Sequence, residues 1–219
     1  MLPKNLSLER FVVNDTLLKD LQIKKEKLWQ DCIDGKLNTF SVANAQKKHA
    51  KIRKLAGHYE AKREYDPDAG ESKKQMLKQI DTAWSYLTSP SFNPYDIKLS
   101  DMINVARLIS SKVKEKHPHS FRHEAIQIGG RIYDAHGIDQ VMDNMLYLAN
   151  QIEDPVKKGL YLHLEINHIH PFIDGNGRVG RILNILYLSA QNLLDEPILY
   201  HSGYINNNKN EYYKLLENV

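Results

Sequence analysis

Twelve residues in the last third of the chain bring together side chains that could act on a phosphate. Residues 170–181 have the sequence HPFIDGNGRVGR. The imidazole of His170 suits a general base because its unperturbed pKa lies near neutrality. Asp174 supplies a carboxylate, which can face phosphates when a hard cation such as Mg²⁺ lies between them. We therefore predict His170 as the catalytic base and Asp174 as a ligand of Mg²⁺.

The glycines and arginines of the same stretch are suited to bind the phosphates. Gly175 and Gly177 can take positive φ, which lets consecutive backbone N–H groups converge on an anion. A helix that begins at about Gly177 adds the partial positive charge of its N-terminus. Arg178 and Arg181 lie three residues apart on one helix face and offer planar cations for phosphate oxygens. These residues predict a polyphosphate site, and hence phosphoryl or nucleotidyl transfer.

A dinucleotide-binding loop is one alternative, because GNGRVG at 175–180 fits the pattern G-x-G-x-x-G. That loop needs a strand leading into the glycines and a parallel sheet around them. The preceding residues, LYLHLEINHIH, have a helical period instead. We therefore interpret Gly180 as a close-packing position on the helix. A metal cluster of His163, His168 and His170 is a second alternative, although histidines beside such a loop are more often packed or hydrogen-bonded.

The rest of the chain has helical periodicity, with one exception. AIQIGGRIY at 125–133 alternates around a Gly-Gly pair, which predicts a β-hairpin. We predict helices over about 14–32, over 100–113 with a cap at Ser100, and over 139–151. Further helices are predicted to begin at 41, at 155 (running towards 167) and at about 177, and another to end at 87. The helix from about 177 is the last of these. The last one contains RILNILYLSA, which is apolar nearly all round and predicts a buried central helix. We expect HPHSFRH at 117–123 to be a solvated loop before the hairpin.

Composition is that of an ordinary soluble globular protein, with 42% hydrophobic and 26% charged residues. The net charge of +3 is too small to indicate nucleic acid or a membrane as a partner. No apolar run approaches the roughly 20 residues of a membrane span. The one cysteine, Cys32, excludes an internal disulfide. Because the start lacks the apolar core of a signal peptide, we expect a cytoplasmic protein, although a secreted effector would look the same.

The stretch HPFIDGNGRVGR resembles the signature of the Fic family, His-x-Phe-x-Asp/Glu-Gly-Asn-Gly-Arg-x-x-Arg, at every fixed position. FRHEAIQIGG is similar to the β-hairpin flap of that family, and PILYHSGYINNNKNEYYKLL is similar to the segment after its signature helix. The resemblance implies an all-α fold, a Fic-type helical bundle with one short β-hairpin. We expect the catalytic core over 100–219 and an N-terminal helical extension over 1–99.

Typical members of that family transfer AMP from ATP to a Ser, Thr or Tyr hydroxyl of a target protein. By this resemblance, His170 would deprotonate the target hydroxyl, Asp174 would hold Mg²⁺, and Arg181 would contact the terminal phosphate. The remaining nucleotide-binding residues implied are Gly175, Asn176, Gly177, Arg178 and Gly180 in the signature, Ile126, Gln127, Ile128 and Gly129 in the flap, and Asn208 and Tyr212 near the ribose and base.

The signature leaves other reactions open. In the Doc branch, which phosphorylates, the glycine loop is altered to Ala-Asn-Lys, and this chain keeps Gly-Asn-Gly, which favours nucleotidyl transfer. Transfer of UMP or phosphocholine, de-AMPylation and a non-catalytic nucleotide-binding module stay as alternatives. The chain departs from the family pattern at Ile166-Asn167, where members often have Phe-Glu, and at Lys209, where they usually have Arg.

The inhibitory motif of the family, Ser/Thr-x-x-x-Glu-Gly/Asn, is matched only at its end by Glu217-Asn218, with Tyr213 at the Ser/Thr position. The inhibitor is therefore expected to be a separate small protein, or a motif beyond residue 219 in a longer natural chain, unless inhibition is absent. A homo-oligomer is a further open alternative.

Overall fold

The computed structural model describes residues 72–128, 131–190 and 208–217, together with the isolated positions 16, 19, 20 and 23. Most of the predicted N-terminal extension lies outside the described residues, as do Cys32, Gly129 and Asn218. The three long described ranges contain seven α-helices and one two-stranded sheet. This architecture confirms the predicted all-α bundle with a single hairpin.

The described elements alternate from helix to hairpin and back to helix along the chain. In chain order they are α1 (Lys73–Leu87), α2 (Leu99–Ile109), α3 (Ser111–Lys116), β1 (Ile126–Ile128), β2 (Arg131–Tyr133), α4 (Ile138–Asn150), α5 (Pro155–Ile169), α6 (Asn176–Ala190) and α7 (Lys209–Glu217). The α5 and α6 helices form the most extensive contact between elements, and α1, α2 and α4 pack around them. None of the helices in these ranges is long and apolar enough to cross a bilayer.

Local capping interactions explain where several helices begin. The side chain of Ser72 accepts the Gln75 N–H at the start of α1. The Asp154 side chain accepts the Lys157 N–H at the start of α5, and Pro155 follows in the first turn, as predicted from the sequence. The predicted cap at Ser100 is wrong, because α2 begins one residue earlier. There the Asp101 carboxylate accepts the Lys98 backbone N–H at 2.9 Å.

The helix predicted over 100–113 is divided by a break at Ser110. This residue is extended, with φ −133° and ψ 125°, and it ends α2. Its hydroxyl then accepts the Val113 N–H at 3.4 Å and so caps α3. Ile109 and Val113 are both buried, as their spacing predicted, although they belong to different helices. The break leaves the Ser110 side chain and the Ile109 carbonyl available for contacts with other parts of the fold.

The predicted hairpin is confirmed. Its antiparallel strands pair Ile126 with Tyr133, Gln127 with Ile132 and Ile128 with Arg131. The hairpin is short and buries little surface.

The segment before the hairpin differs from the prediction of a solvated loop. Phe121 and Arg122 are each 1% exposed. The Phe121 ring packs on the Phe172 ring with the centroids 5.5 Å apart. His117 Nε2 lies 3.0 Å from a Glu124 carboxylate oxygen. The chain is buried here because this segment lies along the loop between α5 and α6, a contact that hydropathy alone does not reveal.

The contact between α5 and α6 requires a glycine on each helix. A Cβ at Gly159 would lie 2.9 Å from the Tyr187 Cβ. A Cβ at Gly180 would lie 2.9 Å from Asn167 Nδ2 and 3.1 Å from His163 Nδ1. This confirms the interpretation of Gly180 as a close-packing position. The α6 segment 179–187 is buried throughout, which confirms the predicted central helix.

Gly180→Ala tests this close approach. Alanine favours an isolated helix over glycine by about 1 kcal/mol, so the change would stabilise the protein if there were space for it. We expect instead a loss of about 1–3 kcal/mol in the free energy of unfolding, because the added methyl group overpacks the contact. Urea denaturation would measure the change. Gln140→Ala, on the exposed face of α4, is the control and should change stability by less than about 0.5 kcal/mol.

Candidate active site

His170 stands at the end of α5 in an unusual backbone conformation. Its φ of 55° and ψ of 56° place it in the left-handed region, where non-glycine residues are uncommon. Its backbone N–H donates to the Ile166 carbonyl at 3.0 Å and closes the helix. The ring Nδ1 lies 3.3 Å from the Asn167 carbonyl oxygen, which can only accept a hydrogen bond. With the proton on Nδ1, Nε2 carries the lone pair that a general base requires.

The loop from His170 to Gly175 is braced from inside by Asn176. The Phe172 N–H donates to Asn176 Oδ1 at 2.9 Å, and Asn176 Nδ2 donates back to the Phe172 carbonyl at 2.7 Å. Phe172 is buried and anchors the loop. The Asn176 side chain is therefore engaged with the loop itself, and only the main chain of Asn176 is available for the predicted phosphate contact.

Gly175 takes the positive φ that was predicted, at 81°. The same prediction is wrong for Gly177, since Gly137 and Gly175 are the described glycines with positive φ. The reason is that α6 begins at Asn176, so Gly177 lies in its first helical turn. The Val179 N–H donates to the Gly175 carbonyl at 2.9 Å. The N–H groups before Val179 have no intrahelical acceptor and give this end of α6 its positive potential.

Asp174 is held through one of its two carboxylate oxygens. Oδ2 accepts the Ser110 hydroxyl at 2.5 Å and Arg178 Nη2 at 2.9 Å. The side chain is 30% exposed. No donor to Oδ1 is present in the described parts of the chain. A fixed carboxylate with one oxygen turned away from its protein partners suits Mg²⁺, which keeps several waters and takes one or two carboxylates together with substrate phosphates.

A metal site built from protein groups alone is not found in the described ranges. No three His, Cys, Asp or Glu side chains converge there in a way that could hold an ion. The three histidines of the alternative cluster have other contacts. His163, for example, lies with Nε2 3.1 Å from the Tyr212 hydroxyl.

Arg178 and Arg181 are both buried at the start of α6. The structure places Arg178 differently from the expected phosphate contact, because Nη1 donates to the Ile109 carbonyl at 2.7 Å and Nη2 donates to Asp174. Its side chain is 2% exposed. Arg178 therefore orients Asp174 and ties α6 to the end of α2. Arg181 lies one turn further along α6.

The flap lies beside His170. The Tyr133 ring, at the end of β2, packs on the His170 ring with the centroids 5.1 Å apart. Ile126 is half-buried, while Gln127 and Ile128 are exposed on β1. This arrangement brings the flap and His170 together.

Tyr212 and Asn208 lie at the start of α7. The Tyr212 N–H donates to the Asn208 carbonyl at 3.0 Å, and the Tyr212 ring packs on His163 of α5 with the centroids 5.9 Å apart. His163 also flanks Gly180. These contacts join α7 to the α5–α6 pair, and the roles of Tyr212 and Asn208 at the base and ribose stay predictions.

Two residues of the site were missed by the sequence analysis, Ser110 and Arg122. Ser110 contacts Asp174 across 64 positions of sequence. The Arg122 guanidinium donates to the His170 carbonyl across 48 positions. No local pattern signals either contact. The only available signal was that Ser110 interrupts an otherwise apolar helical face.

A model of the Fic/DOC family matches residues 96–188. The chain is also similar to several curated proteins named "Protein adenylyltransferase Fic". That of Aedes aegypti is 30% identical over 118 residues, which is 51% of this chain and 24% of that protein. That of Drosophila persimilis is 29% identical over 117 residues, with 51% and 23% covered.

The chain thus spans about a quarter of the length of the curated relatives it matches. The matched region contains the braced loop with His170 and Asp174, together with the flap. On this agreement between sequence, fold and family model, residues 96–188 of the chain form a domain of the Fic/DOC family.

Proposed function

We propose that this chain is a protein adenylyltransferase, which transfers AMP from ATP to a Ser, Thr or Tyr hydroxyl of a target protein. The observation that carries this proposal is the placement of His170, Asp174 and the N-terminus of α6 around one braced loop. The names of the similar curated proteins support the same activity.

The reaction requires a base for the target hydroxyl, and His170 is suited to this role. As Nε2 accepts the hydroxyl proton, the hydroxyl oxygen forms a bond to the α-phosphorus of ATP. The bond from that phosphorus to the oxygen bridging the α- and β-phosphates breaks, and pyrophosphate leaves. The Asn167 carbonyl keeps the ring oriented through Nδ1 during the proton transfer.

The phosphates of ATP are proposed to bind at the positive end of α6. Its first-turn N–H groups, at Asn176, Gly177 and Arg178, point out of the helix towards the loop. Gly175 lets the backbone approach the phosphates, and Arg181 contributes positive charge towards the terminal phosphate. Arg178 is proposed to support the nucleotide site indirectly, because its guanidinium binds Asp174.

Asp174 is the residue proposed to hold Mg²⁺, through Oδ1. The cation would neutralise charge on the phosphates of bound ATP. Ser110 and Arg178 fix the carboxylate so that Oδ1 keeps one direction.

The exposed edge of the flap is proposed to bind the target. Backbone groups of Ile126, Gln127 and Ile128 could pair with an extended target segment by strand addition, which presents its hydroxyl beside His170. Gly129 is assigned to the same surface by the family resemblance alone.

His170→Ala tests the proposed base. After incubation with ATP and Mg²⁺, we expect the wild-type chain, or a protein of a cell lysate, to gain the mass of one AMP group. The variant should transfer AMP about 100- to 10,000-fold more slowly, the range that general bases contribute. Intact-mass analysis over time measures both rates.

His168→Ala, two residues before His170 in the last turn of α5, is the matched control and should retain most of the transfer rate. An added phosphate, UMP or phosphocholine mass in the presence of the respective donor would contradict the proposed group. Equal rates for the wild type and His170→Ala would contradict the proposed base.

Ser110→Ala tests the orientation of Asp174. Loss of the hydroxyl frees one side of the carboxylate, and loss of such an outer partner typically weakens metal binding by about 10- to 100-fold. We expect the Mg²⁺ concentration for half-maximal transfer to rise by that factor, with the maximal rate less affected. The rate measured across a Mg²⁺ titration gives both quantities.

Ser111→Ala is the adjacent control, since the Ser111 hydroxyl accepts hydrogen bonds from Gln75 and Gln79 and lies on a different contact. Ser110→Ala also removes the cap of α3. Thermal denaturation of both variants therefore measures how much of any loss of activity comes from lower stability. An unchanged Mg²⁺ dependence in folded Ser110→Ala would refute the proposed support of Asp174.

A further inference from the structure

The buried guanidinium of Arg122 gathers carbonyl groups from two separate parts of the fold. Nε donates to the His170 carbonyl at 2.7 Å. Nη1 donates to the carbonyls of Glu124 at 2.6 Å and Tyr133 at 3.1 Å. Nη2 donates to the Asp134 carbonyl at 2.9 Å. One side chain, 1% exposed, therefore joins the start of the flap, the end of the flap and the catalytic histidine.

The flap needs such an anchor. A two-stranded hairpin is marginally stable by itself, and each strand here has only three residues. Its outer side chains bury little, with Ile128 42% and Ile132 72% exposed. The flap therefore gains little stability from its own packing, and its position depends on how its two ends are held.

The fork of the arginine matches this arrangement of acceptors. A guanidinium has five donors in a fixed plane, whereas lysine offers three donors around one point. Burial lowers the pKa of Arg122, while the nearby carboxylates of Glu124 and Asp134 raise it. Arginine keeps its charge under these conditions, so the donors remain available.

The main chain of the same segment follows the catalytic loop. The Arg122 N–H donates to the Pro171 carbonyl at 3.1 Å. Phe121 packs on Phe172 beside it. The segment is thus fixed to the loop through its backbone, its aromatic neighbour and its guanidinium, while the guanidinium alone reaches both ends of the flap.

From this geometry we propose that Arg122 is a positioning residue, which sets the distance between the flap and His170 so that a hydroxyl presented on the flap meets the imidazole. This inference rests on the proposed function. It assigns to Arg122 a role in aligning the protein substrate, distinct from binding of ATP at the N-terminus of α6.

A purely structural role makes a different prediction. If Arg122 only stabilised the fold, its loss would lower the melting temperature, and the remaining folded protein would transfer AMP normally. If it positions the flap, protein transfer should fall in folded molecules while nucleotide affinity stays the same.

Arg122→Lys is the test variant, because it keeps the charge and loses the fork. Arg107→Lys is the control, since Arg107 is half-buried on α2 and donates to the Asn104 side chain at 2.7 Å. Three quantities are measured for each: hydrogen exchange of the flap amides, affinity for a non-hydrolysable ATP analogue, and the rate of AMP transfer to protein at saturating ATP.

For Arg122→Lys we expect flap exchange to accelerate by at least about tenfold, with exchange in α6 unchanged. A misplacement of about 1 Å can slow a reaction by about 100-fold, so transfer to protein should fall on that scale. The affinity for the ATP analogue should stay within about twofold of the wild type. Arg107→Lys should match the wild type in all three measurements.

Wild-type flap exchange in folded Arg122→Lys, or an equal loss of analogue affinity and transfer, would overturn the proposal. If Arg122→Lys does not fold, hydrogen exchange of the Arg122 Nε–H is measured in the wild type instead. We expect this proton to exchange as slowly as the flap amides, and faster exchange would overturn the proposal. If the wild type transfers nothing to protein, the proposed function fails, and the exchange measurements still test the coupling of the flap to His170.

Discussion

The close contact between α5 and α6 is the constraint on which the rest of the site depends. Gly159 and Gly180 allow the two helices to approach until a single Cβ would overlap the neighbouring helix. The chain must then turn from one helix into the other within a short loop. It does so with two left-handed residues, His170 and Gly175. Because His170 has a side chain, its conformation is strained, and the surrounding hydrogen bonds must hold it.

The same turn gathers the chemical groups. It places the imidazole at the end of one helix and the positive N-terminus of the next helix a few residues away. Asp174 lies between them, fixed by Ser110 and Arg178. The break between α2 and α3 contributes to this geometry. The Ser110 hydroxyl at the break donates to Asp174, and the Ile109 carbonyl accepts a hydrogen bond from Arg178. Hydrogen bonds of Arg122 join the flap to the same loop.

Sequence reasoning predicted the parts of this structure that depend on local pattern. Helical periodicity indicated a mostly helical chain, Asp154-Pro155 indicated the start of α5, and the alternation around two glycines indicated the hairpin. It failed where long-range contacts override local preference. Ser110 interrupts a predicted helix, Gly177 lies inside α6 without positive φ, and Arg122 is buried in a segment that resembled a solvated loop. Each of these positions acquires its partners only when the loop, the flap and the α2–α3 junction meet.

The phosphate of ATP that becomes attached to protein distinguishes AMP transfer from phosphorylation most directly. The wild-type chain would be incubated with Mg²⁺ and ATP labelled at either the α- or the γ-phosphate, with a cell lysate as the source of acceptors. If the chain transfers AMP, α-label appears covalently on protein, γ-label leaves with pyrophosphate, and His170→Ala removes the signal. Transfer of γ-label without α-label would contradict AMP transfer, because the geometry around His170 would then serve phosphorylation.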